Sequence, residues 1–409
     1  MRGLVVGVFV LTYAGMAAGR LPRLRLDRTG FALLGATVLL AAVPELTPRL
    51  AHAVDVPTLV VLGALLLLSA QLEACHAYDH AADRLARLPL SPEALLAVVA
   101  LVVGALSALL TNDVVAFALT PLLCRGLAAR GLDPRPYLLA VAGASNAGSA
   151  ATTLGNPQNV LIGQVGHLSL GAFARVCAVP ALLSVGVVVG TLLVAFRGRL
   201  VMPPSHQMVT SAHLPPLERA GLAKAALAGA GVVAALVTPF PDALGMLAAT
   251  APLLVSRHRA SRDMLARVDW PLLLLFVGLF VVTDALAWTG LPAQALAWLA
   301  ERGLAPDQLG VLAGLSLAGS NTIGNVPLVT LLLSSWAAPP EHALVALALL
   351  STLAGNLLLV GSVANLIVVE RAGQAGVRIG FWDHARTGIP ITLGSMGVSL
   401  AWLAWVAAR

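Results

Sequence analysis

The sequence predicts an all-α polytopic membrane protein: two inverted five-span repeats, each with a re-entrant helical hairpin and one broken transmembrane helix. Three observations lead there. The 409-residue chain is 58% hydrophobic and only 11% charged, against about 25% charged residues in soluble proteins. Its apolar runs are broken at mid-length by glycines, prolines and amides; a lipid-facing helix does not tolerate these, but backbone lining a buried cavity does. Finally, Val54-Asp-Val-Pro-Thr-Leu-Val-Val-Leu-Gly63 returns as Val268-Asp-Trp-Pro-Leu-Leu-Leu-Leu-Phe-Val-Gly278, which marks an internal repeat. At roughly 20 residues per crossing, the apolar segments allow about ten spans.

The first repeat, residues 1–196, opens with an apolar run at about 3–19. Its basic start and small-residue tail look like a signal peptide, but a counterpart after residue 217 makes it a first span. Further spans are expected at about 30–44, 56–74, 137–163 and 170–196. After a linker at 197–217, with Pro203, Pro204, Pro215 and Pro216, the second repeat (218–409) has spans at about 218–237, 241–256, 270–288, 343–370 and 387–408. Two more apolar stretches, about 92–124 and 308–336, are polar at their middles, and each half is short for a crossing. Both read as re-entrant hairpins.

The net charge of +6 does not indicate nucleic acid, because the basic residues sit in short clusters between apolar runs, as positive-inside loops do. The clusters are Arg20 to Arg28, Arg84 and Arg87, Arg125 to Arg135, Arg197 to Lys224, Arg257 to Arg267, and Arg371 to Arg386. Both flanks of the first hairpin are basic, so it opens to the cytoplasm. Glu301, Arg302 and Glu341 flank the second, which opens outward. Both termini are then outside a cell inner (plasma) membrane. Cys75, Cys124 and Cys177 are isolated, which indicates neither a disulfide framework nor a zinc site.

Chemistry concentrates in the four interruptions. The first hairpin holds Ser107, Thr111, Asn112 and Asp113; the second holds Ser320, Gly324, Asn325 and Pro327. In each, Ser precedes Asn by five residues, and Asn112 and Asn325 read as N-caps of the returning helix. The broken helices run Gly155-Asn156-Pro157-Gln158-Asn159 and Gly355-Asn356 through Gly361-Ser362-Val363-Ala364-Asn365. Gly155 matches Gly361, and Asn159 matches Asn365. Interruptions of this kind mark the ion and substrate sites of secondary transporters. Free carbonyls with Ser and Asn oxygens suit Na⁺, while four half-helix N-termini favour a small anion or a hydrogen-bonding oxyacid. Asp113 is an intramembrane acid, hence a candidate Na⁺ ligand or proton carrier. Asp284 is a weaker candidate, and Glu73, Glu370 and His167 read as interfacial.

Taken together, these motifs resemble the ion-transporter superfamily: arsenite efflux permeases, D-type sodium/proton antiporters, silicic acid effluxers and divalent anion–sodium symporters. The Asn-Asp hairpin ending in Thr120-Pro121, the GNPQN break, the Asn-Val-Pro hairpin and the GSVAN break fall in family order over nearly the whole chain. The resemblance implies coupling-ion sites at Ser107, Asn112 and the Gly155 carbonyl and at Ser320, Asn325 and Gly361, beside which Asp113 stands as the coupling candidate read from its position. It implies substrate contacts from Thr111, Asn112, Asn156, Asn325, Ser362 and Asn365. It also implies a homodimer whose hairpin-bearing domain moves like an elevator. Dicarboxylate symporters of the superfamily carry Ser-Asn-Thr at both tips. Here the tips are Thr111-Asn112-Asp113 and Gly324-Asn325-Val326, Ser320-Asn321-Thr322 sits four residues early, and Gln158 replaces a proline.

The expected function is therefore H⁺- or Na⁺-coupled secondary transport of a small inorganic anion or oxyacid of the arsenite, silicate or sulfate kind. Sodium/proton antiport and dicarboxylate/sodium symport are the alternatives. An intramembrane enzyme is disfavoured: the sequence contains no HExxH motif and no convincing Ser–His or Ser–Lys pair. No cofactor beyond Na⁺ is expected.

Overall fold

The structure, a computed structural model, describes residues 1–18, 26–200, 215–236, 238, 242–257 and 259–408. The expected loop residues Arg20, Arg23 and Arg25 and the linker prolines Pro203 and Pro204 lie outside them. Among the described residues the chain forms α-helices and short 3-10 turns and no β-strand.

The first repeat begins with α1 (Arg2–Ala18) and α2 (Arg28–Ala42). Gly15 faces Phe31 and Gly35 faces Thr12, so α2 returns along α1. A short α3 (Leu50–Ala53) leads to α4 (Val56–Ala74). Next comes α5 (Ala77–Arg87), which buries Tyr78, Ala82 and Leu85 at helical spacing. The hairpin is α6 (Pro92–Leu109) with α7 (Asn112–Ala129), and the broken span is α8 (Pro134–Ser149) with α9 (Pro157–Val165). The long α10 (Leu170–Ala195) ends the repeat.

The second repeat follows the same order. It has α11 (Arg219–Ala235), α12 (Asp242–Thr250), α13 (Ser261–Leu265), α14 (Trp270–Trp288) and α15 (Leu291–Ala300). Its hairpin is α16 (Leu309–Thr322) with α17 (Asn325–Ser335), its broken span α18 (Glu341–Ala354) with α19 (Val363–Gln374), and its last helix α20 (Phe381–Ala407). The repeated Asp-x-Pro words turn out to be matching helix starts. Asp55 caps α4 by accepting the Thr58 N–H at 2.8 Å, and Asp269 caps α14 by accepting that of Leu272 at 3.1 Å.

One expectation is corrected. The arms of the first hairpin, α6 and α7, have 18 residues each and are apolar enough to cross; at about 1.5 Å per residue each is nearly as long as the hydrocarbon layer is thick. Shortness is therefore not what makes this element re-entrant. What matters is the depth at which its tip stops. At its open end the Arg130 guanidinium, just past α7, donates to Leu88 O (2.9 Å) and Leu90 O (3.2 Å), just before α6. Both ends thus share one face. The α6 arm runs parallel to α8, with Tyr137 Oη donating to Pro92 O at 2.9 Å and Thr152 Oγ1 to Ala108 O at 2.5 Å. Its tip therefore stops level with the break. The same parallel arrangement recurs in the second repeat, where Asn321 Nδ2 donates to Ala354 O at 2.9 Å.

The helices sort into two groups. The hairpins, broken spans, α10 and α20 pack mainly on one another, while α1, α2, α4, α11, α12 and α14 form a second body beside them.

Candidate functional site

Both hairpin tips and both breaks meet at one cavity. Its hairpin-side wall is Asn112, Asp113, Gly324, Asn325, Gly361 and Ser362, with Gln158 beside them; the facing wall is Tyr13 and Met16 of α1, Arg28 of α2, and Leu272 to Leu279 on α14. Met16, Arg28 and Leu272 lie where α1 ends and α2 and α14 begin, so the cavity sits toward that face.

The tips are held by backbone as well as side chains. Gly155 O accepts the Asn112 N–H at 2.8 Å, which ties the first tip to the first break. Glycine is required there, because a Cβ on Gly155 would run into the Ser149 backbone. At Gly361 a Cβ would lie 2.5 Å from Asn321 Oδ1. Asn159 and Asn365 play the same part in their repeats. Asn159 Nδ2 donates back to Ser149 O (3.3 Å) and Thr152 O (3.0 Å), and Asn365 Nδ2 to Gly355 O (2.8 Å) and Leu358 O (3.3 Å). Each amide thereby satisfies carbonyls that the break leaves free.

Asn146 joins the repeats. Its Oδ1 accepts from Asn112 Nδ2 (2.8 Å) and Ser362 Oγ (2.9 Å), and its Nδ2 donates to Asn356 Oδ1 (2.8 Å) and Asn365 Oδ1 (3.1 Å). Thr352 stands at the matching place and accepts from Asn156 Nδ2 and Gln158 Nε2, both at 3.1 Å. Neither was singled out as a site residue from sequence. The signal was present, since both are polar residues just before a break.

The two halves differ in how their oxygens are used. Ser107 Oγ, Thr111 Oγ1 and Asn112 Oδ1 are buried with no hydrogen-bond partner. Such groups cost about 1–3 kcal/mol each when left unmatched. In the second half, Ser320 Oγ donates to Ser351 O at 3.2 Å and Asn325 Oδ1 accepts the Val326 N–H at 2.9 Å. Between the matched tip residues, the unmatched oxygens are thus those of the first tip, although Ser316 Oγ and Ser335 Oγ on the arms of the second hairpin also lack a partner.

Of the residues expected from sequence, Asn112, Asp113, Asn325, Gly361 and Ser362 line the cavity. Ser107, Thr111, Gly155 and Ser320 lie behind the tips and breaks. Asn156 and Asn365, both fully buried, bond within and between the broken helices. Asn112 and Asn325 are not caps. The cap positions are Thr111 and Gly324, neither making a side-chain cap bond, and Gly324 has φ 96°. The amide of Asn112 is thereby free to reach Asn146. Asp284 lies away from the cavity, paired with Arg49 at 3.2 Å. Arg28 was missed, because in the sequence it is one of several loop arginines.

Comparison with known proteins agrees with this architecture. The citrate transporter family profile matches residues 13–339. A 46 kDa membrane protein of Mycobacterium leprae is 28% identical over 427 residues, covering 98% of this chain and 97% of that protein. The silicon efflux transporter of Oryza sativa subsp. japonica is 28% identical over 445 residues, covering 91% of each. Among solved structures, the YdaH transporter of Alcanivorax borkumensis matches with a TM-score of 0.59 at 18% identity, covering 100% of this chain and 98% of that one. That likeness concerns the fold.

Proposed function

The chain belongs to the citrate transporter family of multi-pass membrane transporters, and on that premise we propose that it is an ion-coupled secondary transporter of a small inorganic anion or oxyacid. The observation that carries this reading is the trio of buried, unmatched oxygens Ser107 Oγ, Thr111 Oγ1 and Asn112 Oδ1 beside a cavity shared by two re-entrant tips. Oxygen lone pairs without donors are what a small cation needs, and Na⁺ is the candidate they fit. Asp113 in the cavity wall is the candidate for H⁺ instead. The start of α19 has no side-chain cap bond, so its N–H groups remain to hold an anion or oxyacid, whereas the Asn112 N–H of α7 is taken by Gly155 O and the Val326 N–H of α17 by Asn325 Oδ1.

The two-body packing fits an elevator in which hairpins and broken spans move against the α1, α2, α14 wall, with the scaffold as dimer contact. The cavity lies toward the face with the basic loops, which the positive-inside rule makes cytoplasmic. Sodium/proton antiport is the second reading, favoured by Asp113 lining the cavity.

The test is uptake into proteoliposomes of sulfate, arsenite, silicic acid and citrate, with Na⁺ and pH gradients imposed separately. Accumulation of one probe driven by one gradient is expected. Na⁺–H⁺ exchange with none of the probes carried would favour the antiporter, and no gradient-driven flux of any kind would end the proposal.

A further inference from the structure

We propose that the cargo binds as an anion and that Arg28, fixed on the scaffold, recognises its charge; this rests on the transporter reading above. Arg28 and Asp113 are the charged residues of the cavity wall among the described residues. They stand on different bodies, Arg28 at the start of α2 and Asp113 in the first turn of α7.

The α2 start is firmly anchored. Asp27 Oδ1 accepts the Gly30 N–H at 2.8 Å, and Thr29 Oγ1 donates to Pro271 O at 3.1 Å. Farther along, the Ala32 backbone packs so closely on Gly278 that a Cβ there would lie 2.7 Å from Ala32 C. Across the cavity, Ser362 Oγ donates to Asn146, so it does not cap α19. Gly324, lacking a side chain, cannot cap α17, where Asn325 Oδ1 takes the Val326 N–H and leaves that of Asn325. A guanidinium on one wall and the uncapped N-terminus of α19 on the other make a cradle for negative charge. A neutral oxyacid would need only hydrogen bonds and would gain nothing from the charge of the guanidinium.

The same arrangement supplies coupling. An anion in the cavity also meets the Asp113 carboxylate, and like charges at that range repel. Loading Asp113 with H⁺ or Na⁺ removes the repulsion, so anion and coupling cation bind together. Glu370 and Asp113 act electrostatically on Arg28, and Asp269 and Arg28 on Asp113; these groups set the local field.

A protection assay tests binding apart from transport. Met16, on the α1 wall of the cavity, is replaced by cysteine, and its alkylation in the full-length protein is timed with sulfate, citrate or uncharged silicic acid. The native cysteines are buried. Sulfate or citrate is expected to slow labelling and silicic acid not to. Arg28→Gln should raise the protecting anion concentration by about ten- to a hundredfold, with Arg28→Lys between. Protection by silicic acid alone, equal anion protection in Arg28→Gln, or no protection by either anion would overturn the proposal. Gradient-driven uptake of silicic acid by both wild type and Arg28→Gln would do the same while leaving the transporter reading intact.

Discussion

Replacing Asn146 is the sharpest test of how the site is held together. The side chain makes four buried hydrogen bonds, to Asn112, Ser362, Asn356 and Asn365, at 2.8 to 3.1 Å. In Asn146→Ala, the groups on Asn112 and Ser362 face the cavity, where water can replace the lost partner at a net cost of about 1 kcal/mol each. Asn356 and Asn365 are not in the cavity wall and are 1% and 0% exposed. Their oxygens keep a larger part of the desolvation penalty, so the total is about 4 kcal/mol, close to a thousandfold in the opening equilibrium. Asn146→Asp preserves the shape but points an acceptor at two acceptor oxygens, so it should be no milder. Unfolding in mixed micelles, with amide hydrogen exchange in α8 and α19, measures the change. A loss below about 1 kcal/mol in both variants would refute the view that Asn146 joins the repeats.

Three further outcomes are expected. Cysteines at Arg84 and Arg130 should react with an impermeant reagent from the same side of the membrane, and labelling from opposite sides would dismantle the first hairpin. Gly155→Ala should lower folded yield more than Gly361→Ala, because its Cβ would run into the Ser149 carbonyl oxygen more closely than the other would meet Asn321 Oδ1, at 2.5 Å, and Gly355 O, at 2.8 Å; thermal stability in detergent reads the order. Asp113→Asn removes ionisation at nearly constant shape: with proton coupling it should abolish pH dependence and driven transport together, and with Na⁺ coupling it should weaken Na⁺ activation alone. Uptake with unaltered pH and Na⁺ responses would leave Asp113 as a charge at a helix start.

Local signals carried the fold. Asp55-x-Pro57 and Asp269-x-Pro271 are caps whose geometry follows from three adjacent residues, and the span limits follow from where apolar runs meet proline or charge. The tips were legible because Asn112, Asp113 and Asn325 are polar where hydrocarbon lies on both sides. Arg28 was not, because a cation at the end of a span looks alike in sequence whether it faces solvent or a cavity; only the packing of α2 on α14 turns it inward. Asn321 shows the opposite problem. By its letters it belonged to a Ser-Asn-Thr tip, yet it closes α16 and binds the break, accepting the Leu358 N–H at 3.1 Å. A residue that serves a carbonyl more than thirty positions away carries no mark of that service in its neighbours.

The bonds through Asn146 also set a timetable for synthesis. Three of its partners, Asn356, Ser362 and Asn365, come 210 to 219 residues later in the chain. At about 5–20 residues per second, the ribosome needs on the order of 10–40 s to supply them. During that interval the first repeat is already in the bilayer, holding a polar break in which the Asn146 Nδ2 group still lacks its acceptors on Asn356 and Asn365. Water, lipid headgroups or the insertion machinery must shelter it until the second repeat arrives. The two halves are therefore alike in shape and unlike in history: the first waits, and the second completes a site that is already half built.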